Sequence, residues 1–97
     1  VSAAGDPQSR RLEPVFAHIR AHLDQRLPVA RLAQVIGVSA SQLERLVRRA
    51  TGRSLVGQVT ALRLAEAKRL LVDPSLSIAA IAARCGFRSP AFFAARF

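Results

Sequence analysis

The chain has 97 residues, enough for one small domain or for two very small subdomains that share a helix. Its formal net charge of +9, from 15 basic and 6 acidic residues, indicates a polyanionic partner, with nucleic acid favoured over an acidic membrane surface. The single cysteine, Cys85, excludes an internal disulfide, and no apolar run approaches the roughly 20 residues that span a bilayer, so we expect a cytoplasmic protein without membrane contacts.

The helical spacing of the apolar residues predicts an all-α fold. Residues 1–11 are mostly small or polar and are predicted to form a disordered lead or linker. Residues 12–53 are predicted to form a first subdomain, in which Pro14 occupies the first turn of the first helix and Gly37 ends the second. Its helices are predicted over Leu12–Leu27, over Val29–Ile36, and from a cap at Ser39 or Ser41 to about Ala50.

A linking helix and a second subdomain are predicted to follow. The linking helix spans Leu55–Val72 within residues 54–73, with Ser54 as its cap. Residues 74–97 form the second subdomain, which is incomplete at its C-terminal end. Its boundary residues are Ser77 as the cap of Ile78–Cys85, Gly86 as the stop, and Ser89 or Pro90 as the start of a truncated last helix. We expect about seven helices in total.

Two stretches of the chain resemble each other, because Ala33 and Gly37 recur 49 residues later as Ala82 and Gly86. Alanine lets two helices cross closely, and glycine adopts a positive φ in a turn at little cost. The flanking apolar positions correspond as well: Leu32, Ile36 and Val38 in the first stretch, and Ile81, Cys85 and Phe87 in the second. We interpret the stretches as two helix-turn-helix units, joined by a helix roughly 27 Å long. Their second helices would then enter successive major grooves, about 34 Å apart.

Residues from about 12 to 97 resemble the DNA-binding domain of the AraC/XylS family of bacterial transcription regulators. The resemblance rests on Leu32-Ala33, Gly37-Val38-Ser39, Gln42 to Leu46, Thr51-Gly52, Arg63-Leu64, Ala67, Leu70-Leu71, Ser77-Ile78, Ile81-Ala82, Cys85-Gly86-Phe87 and Ser89. It implies sequence-specific binding of double-stranded DNA in transcription regulation, with Ser41–Arg49 as the first reading helix and the residues from Pro90 onward as the second.

The resemblance also implies partners beyond DNA. A separate N-terminal domain for effector sensing or dimerisation is expected outside these 97 residues, and RNA polymerase is a candidate partner. The segment from Leu12 to Pro28 is most similar to family members whose N-terminal domain resembles an amidotransferase.

On the first reading helix, Ser41, Glu44 and Arg45 are predicted to face outward and contact bases. Arg45 is the first choice, because arginine with guanine is the commonest specific pair. Glu44 has two open roles of equal weight, accepting a hydrogen bond from a cytosine amino group or pairing with Arg48. The residues predicted to bind phosphate are Ser39, Gln42, Arg48, Arg49, Arg53, Arg88, Ser89 and Arg96.

The second unit is predicted to read fewer bases than the first. At the position where the family usually carries an arginine, two residues after the first core phenylalanine of the last helix, this chain has Ala95. Pro90, Ala91 and Ala94 have no hydrogen-bonding side chain. We therefore expect the second unit to bind phosphate and bend DNA more than it reads sequence.

Other classes of function find less support in the sequence. His18 and His22 are one helical turn apart, but their helix offers no third ligand, so no metal site is predicted. Without a phosphate-binding loop, a carboxylate pair or a nucleophile elbow, we predict no enzymatic activity and no cofactor. Cys85 is predicted to be a small buried hydrophobe. The alternative function is a cationic helical module for an acidic membrane or a protein partner, but surface-bound helices need no turn glycines.

Overall fold

A computed structural model describes residues 7–87 of the chain, with side chains from Arg10 to Phe87. Within that part all the regular structure is helical, as predicted. The helices are α1 (Pro7–Ala21), α2 (Val29–Val35), α3 (Ala40–Thr51), α4 (Leu55–Leu70) and α5 (Ile78–Arg84). The prediction of about seven helices is wrong, because residues 7–87 form five. The predicted last helix lies outside the described residues.

The first helix starts earlier than predicted. α1 begins at Pro7, so the prediction of a disordered lead is wrong for residues 7–11, whereas residues 1–6 lie outside the described part. Proline suits the start of a helix, since its fixed φ is helical and its missing N–H would have no partner there. Pro14 therefore lies inside α1, where it removes one helical hydrogen bond. The buried Leu12 and Val15 hold this first part of α1 against the rest of the protein.

The same helix also ends earlier than predicted, at Ala21 rather than Leu27. The backbone turns directly afterwards, where the Gln25 N–H donates a hydrogen bond of 3.0 Å to the His22 carbonyl. The residues between this turn and Pro28 form a loop that connects α1 to α2. We call Leu23–Leu27 the α1–α2 loop.

The repeat in the sequence is also a repeat in the backbone. α2 and α5 each have 7 residues. After α2, the Gly37 N–H donates to Gln34 O at 3.2 Å and the Val38 N–H to Ala33 O at 3.1 Å. After α5, the matching bonds are Gly86 N–H to Ala83 O at 3.3 Å and Phe87 N–H to Ala82 O at 2.9 Å. Gly37 and Gly86 have φ values of 67° and 82°, so both turns need the positive φ that was predicted.

Serine side chains fix the starts of three helices. Ser54 Oγ accepts a hydrogen bond from the Gly57 N–H at 3.1 Å, and Ser77 Oγ accepts one from the Ala80 N–H at 3.0 Å. Of the two caps left open for α3, Ser39 is the one in the structure. Each bond satisfies an N–H that the helix itself cannot pair, which explains why these starts follow the sequence closely. α4 ends at Leu70, just before the predicted Val72, whose side chain is exposed.

Two hydrophobic cores share α4. The larger core lies among α1, α2, α3 and the first half of α4, which contributes Leu55 and Val59. The smaller core packs α5 against the second half of α4. Its buried residues are Ala67, Ile81, Ala82 and Cys85. Burial also raises the pKa of the Cys85 thiol, which disfavours the reactive thiolate, so Cys85 packs as the predicted small apolar side chain. We call α1–α3 the first unit and the residues from Pro74 onward the second unit.

Candidate nucleic-acid interface

α3 has a buried face and an exposed face on opposite sides. Leu43 and Val47 are fully buried in the larger core. Successive residues of an α-helix turn by about 100°, which places Ser41, Arg45 and Arg48 on the side opposite these two. All three are exposed. The structure therefore brings Ser41 and Arg45 together on an outward face, as predicted, and adds Arg48 to that face.

The start of α3 is held by a reciprocal pair of hydrogen bonds. The Gln42 N–H donates to Ser39 Oγ at 3.1 Å, and the Ser39 N–H donates to Gln42 Oε1 at 3.0 Å. This capping box fixes both side chains at the positive end of the helix dipole. The Ser39 hydroxyl proton and the Gln42 amide protons remain as donors, so both residues keep the chemistry that phosphate binding needs.

A shallow basic groove runs beside the exposed face of α3. It is lined by Arg11, Val38, Gln42, Arg45, Leu46 and Arg49. We call it the α1–α3 groove. Arg11, which projects from α1, joins two arginines of α3 there, although no role was predicted for it. No role was predicted for Arg11 because residues 1–11 were predicted to be disordered. The helix α1 includes residue 11 and brings its side chain to α3.

Glu44 does not lie on the outward face of α3, which corrects the prediction. Its side chain is half-buried on the flank that faces α4, and Glu44 Oε2 accepts a hydrogen bond of 3.1 Å from the Leu55 N–H. Leu55 is the first residue of α4, where the backbone N–H groups lack helical partners and the helix dipole is positive. A carboxylate is stabilising at that point. The observed role of Glu44 is thus a third one, beyond cytosine contact and pairing with Arg48.

Arg53 lies in the turn between α3 and α4. Its Nη1 donates to Gln58 Oε1 at 3.1 Å, and its backbone N–H donates to Thr51 Oγ1 at 3.1 Å. Gln58 is the buried polar side chain of the described part, 8% exposed, and the arginine supplies a partner for it. Arg53 itself is exposed, so its guanidinium also has donors that face solvent.

The arginines of α3 have no acidic partner within the part of the chain that the structure describes. The ion pair found there joins Glu66 and Arg69 on α4, with Nε and Oε1 2.6 Å apart. The positive charges of Arg45, Arg48 and Arg49 are therefore available to an external anion. Arg88, Ser89 and Arg96, together with the predicted second reading helix, lie outside the described residues.

The two histidines of the chain are in contact with each other. The rings of His18 and His22 stack with their centroids 4.3 Å apart, and His22 Nδ1 donates to the His18 carbonyl at 2.8 Å. Between residues 7 and 87, no three His, Cys, Asp or Glu side chains come together as metal ligands would. No helix among them is long and apolar enough to cross a membrane.

Known proteins with similar sequences are transcription regulators. A family model described as a helix-turn-helix domain matches residues 32–97. The transcriptional regulator GlxA of Rhizobium meliloti is 42% identical over 86 residues, which are 89% of this chain and 25% of that protein. The transcriptional regulator CdhR of Pseudomonas aeruginosa is 34% identical over 85 residues, 88% of this chain and 25% of its own length. The chain thus spans about a quarter of the length of these two relatives.

Two solved structures have the same fold. An AraC-type transcriptional regulator from Chromobacterium violaceum superposes with a TM-score of 0.82 at 32% identity, over 89% of this chain and 77% of that one. The DNA-binding domain of the global transcriptional factor AdpA, crystallised with a target DNA, gives a TM-score of 0.75 at 31% identity. That match covers 96% of this chain and 80% of the other.

Proposed function

We propose that this chain, which belongs to the AraC/XylS family of helix-turn-helix transcription regulators, binds specific double-stranded DNA and that α3 is its principal reading helix. The observation that carries the proposal is the outward face of α3, where exposed arginines without acidic partners among the described residues lie opposite the buried Leu43 and Val47. A helix with one face anchored in a core and the other face cationic fits the DNA major groove.

The positions along α3 support different roles for its side chains. Residues near the start of a recognition helix contact base edges, which favours Ser41 and Arg45 as the base-reading pair. Arg48 lies about one turn farther along the same face, nearer to where the groove wall would be, and is proposed to bind phosphate. The other proposed phosphate ligands are Ser39, Gln42, Arg49, Arg53 and Arg11, to which Arg88, Ser89 and Arg96 are added from the second unit. Glu44 is no longer proposed as a base contact, because its carboxylate is bonded to α4.

We further propose that the two units contact successive major grooves on one face of the DNA. α4 has 16 residues, about 24 Å of helix, and the two cores lie at its two ends. Because α5 and its turn repeat α2 and its turn, a helix that follows Phe87 as α3 follows Val38 would complete a second reading unit. The two reading helices would then approach the roughly 34 Å spacing of one DNA turn.

The partners beyond DNA are proposals of the same kind. We propose an effector-sensing or dimerisation domain elsewhere in the whole protein, RNA polymerase as a partner and a cytoplasmic location. The greater length of the relatives supports the first of these, since this chain corresponds to a quarter of GlxA and of CdhR. In vitro transcription from a promoter that carries the selected site, with and without the protein, tests the contact with polymerase.

The test of the proposed function begins with selection of binding sites from a random DNA library. Arg45→Ala is expected to relax the preference at one base pair, at a cost of about 1–3 kcal/mol for the selected site. Arg49→Ala is expected to weaken binding to all sequences alike. The matched control is Arg20→Ala, an exposed arginine on the flank of α1 opposite Arg11, which should bind as the wild type does. If Arg45→Ala kept both the affinity and the base preference of the wild type, α3 would not contact bases through this face.

A further inference from the structure

The two units meet at a junction that the DNA-binding motifs do not explain. Arg63 lies in the middle of α4, and its guanidinium reaches the α1–α2 loop. Its Nε donates to Leu23 O at 3.3 Å, and its Nη2 donates to Gln25 O at 3.1 Å. These carbonyls follow the end of α1, where the backbone has left the helical bonding pattern. Arg63 therefore ties the linking helix to the first unit, 40 residues away in the chain.

The turn of the second unit presses on the same two groups. A Cβ added to Gly86 would lie only 2.0 Å from Leu23 O and 2.8 Å from Arg63 Nε. A Cβ added to Gly37, the corresponding residue of the first unit, would meet nothing within 4 Å. Gly86 is thus needed for space as well as for its positive φ. The loop of the first unit, the linking helix and the turn of the second unit come together at the Leu23 carbonyl.

We propose that Arg63 and Gly86 form a brace that fixes the angle between the two units and so selects the spacing of the DNA segments they contact. Besides this brace, α4 and the short connection to α5 join the two units. That connection begins beyond the end of α4 and includes exposed residues such as Val72. The two hydrogen bonds of Arg63 hold α4 against the first unit, and the close approach of Gly86 to the Leu23 carbonyl and to Arg63 holds the second unit at the same point.

The brace has a consequence for the DNA, which rests on the proposed two-groove binding. One inserted base pair moves the second contact site by about 3.4 Å along the duplex and rotates it by about 35° around the axis. A rigid pair of units cannot follow that rotation without distorting the DNA. A loosened pair can follow the rotation, but it binds the best spacing more weakly. Orienting its second unit then costs conformational entropy on binding, which in the braced protein is already lost on folding.

The experiment compares Arg63→Ala with Arg63→Lys and with Arg69→Ala, an exposed arginine on the same helix that serves as the matched control. Binding is measured to the selected site and to sites with one base pair inserted or deleted between the two contacted segments. For the wild type and Arg69→Ala, inserting one base pair is expected to lower the affinity for DNA about tenfold or more. For Arg63→Ala, the same insertion should lower the affinity about threefold or less. This variant should also bind the unaltered site more weakly than the wild type does. Arg63→Lys, which can still donate to a loop carbonyl, should restore much of the spacing penalty.

A second measurement keeps the brace testable without DNA. Spin labels at exposed positions of α1 and α5, Ala17→Cys and Ala79→Cys in a Cys85→Ala background, report the distance between the units by pulsed electron resonance. A narrow distribution that broadens in Arg63→Ala while α-helical circular dichroism is retained supports the brace. An unchanged distribution, or an unchanged spacing penalty in a folded Arg63→Ala variant, overturns it. Failure to select any DNA site would instead count against the proposed two-groove binding. The distances between the spin labels would still test the brace.

Discussion

The backbone of α2 and its turn matches that of α5 and its turn, but the two units are stabilised differently. α2 and α5 have equal length and equivalent turn hydrogen bonds, but α2 starts at Pro28 without a side-chain cap, whereas Ser77 caps α5. The first unit includes α1, whose Leu12 and Ile19 are fully buried in the larger core. The second unit, up to Phe87, has a small core that is completed by residues at the end of α4. Its position is then set by contacts with Leu23 and Arg63 of its neighbours.

The difference shows how one motif can serve two tasks. The first unit carries its own core, so its reading face is presented by a self-supporting scaffold. Up to Phe87, the second unit repeats the motif with fewer buried residues, and it depends on its neighbour for orientation. A duplicated helix-turn-helix therefore gains a fixed geometry from contacts between the copies, since Gly86 makes a close approach that its counterpart Gly37 does not make.

The largest expected effect separates the two turn glycines. Gly37→Ala should cost about 1–2 kcal/mol of unfolding free energy, because only the positive φ opposes the methyl group. Gly86→Ala meets the same strain and also drives a methyl group into the Leu23 carbonyl, so we expect it to cost at least about twice as much. Urea unfolding of the two variants, followed by circular dichroism, measures the difference. Equal losses would show that the second turn is not pressed against the first unit.

A smaller effect is expected at Glu44, which joins the reading helix to the linking helix. Glu44→Ala removes the acceptor for the Leu55 N–H and should lower the unfolding free energy by about 1 kcal/mol, as the loss of a helix cap does. The base preference of the selected site should stay that of the wild type. Glu44→Gln keeps an acceptor oxygen and serves as the matched control for stability. A loss of preference at a single base pair, without loss of stability, would return Glu44 to the base-reading face.

The smallest expected effect concerns Arg11, which gives the first unit a cation outside the helix-turn-helix itself. Arg11→Ala should weaken binding to all DNA sequences alike and should lower the slope of log affinity against log salt by about 1. Binding isotherms at several salt concentrations give this slope, with Arg20→Ala as the control. An unaltered slope would remove Arg11 from the interface and leave the α1–α3 groove to the arginines of α3.

Much of the local structure could be predicted because its causes lie within a few residues. Ser54 and Ser77 cap helices through bonds to the third residue after each. Gly37 and Gly86 mark turns through their own φ preference. The pattern of buried Leu43 and Val47 fixes which side of α3 faces outward, which is why Ser41 and Arg45 could be placed on the exposed face in advance.

The sequence by itself thus determined the starts of α2, α4 and α5, the repeat and the exposed basic face of α3. Only the tertiary structure decided what Glu44, Arg11 and Arg63 contact, since those partners are distant in the chain or reached across a groove. Periodicity says that a side chain leaves the core face, but it does not say which neighbouring element lies beside it. The fixed angle between the two units belongs to this second class, because it arises where three separated segments meet at one carbonyl.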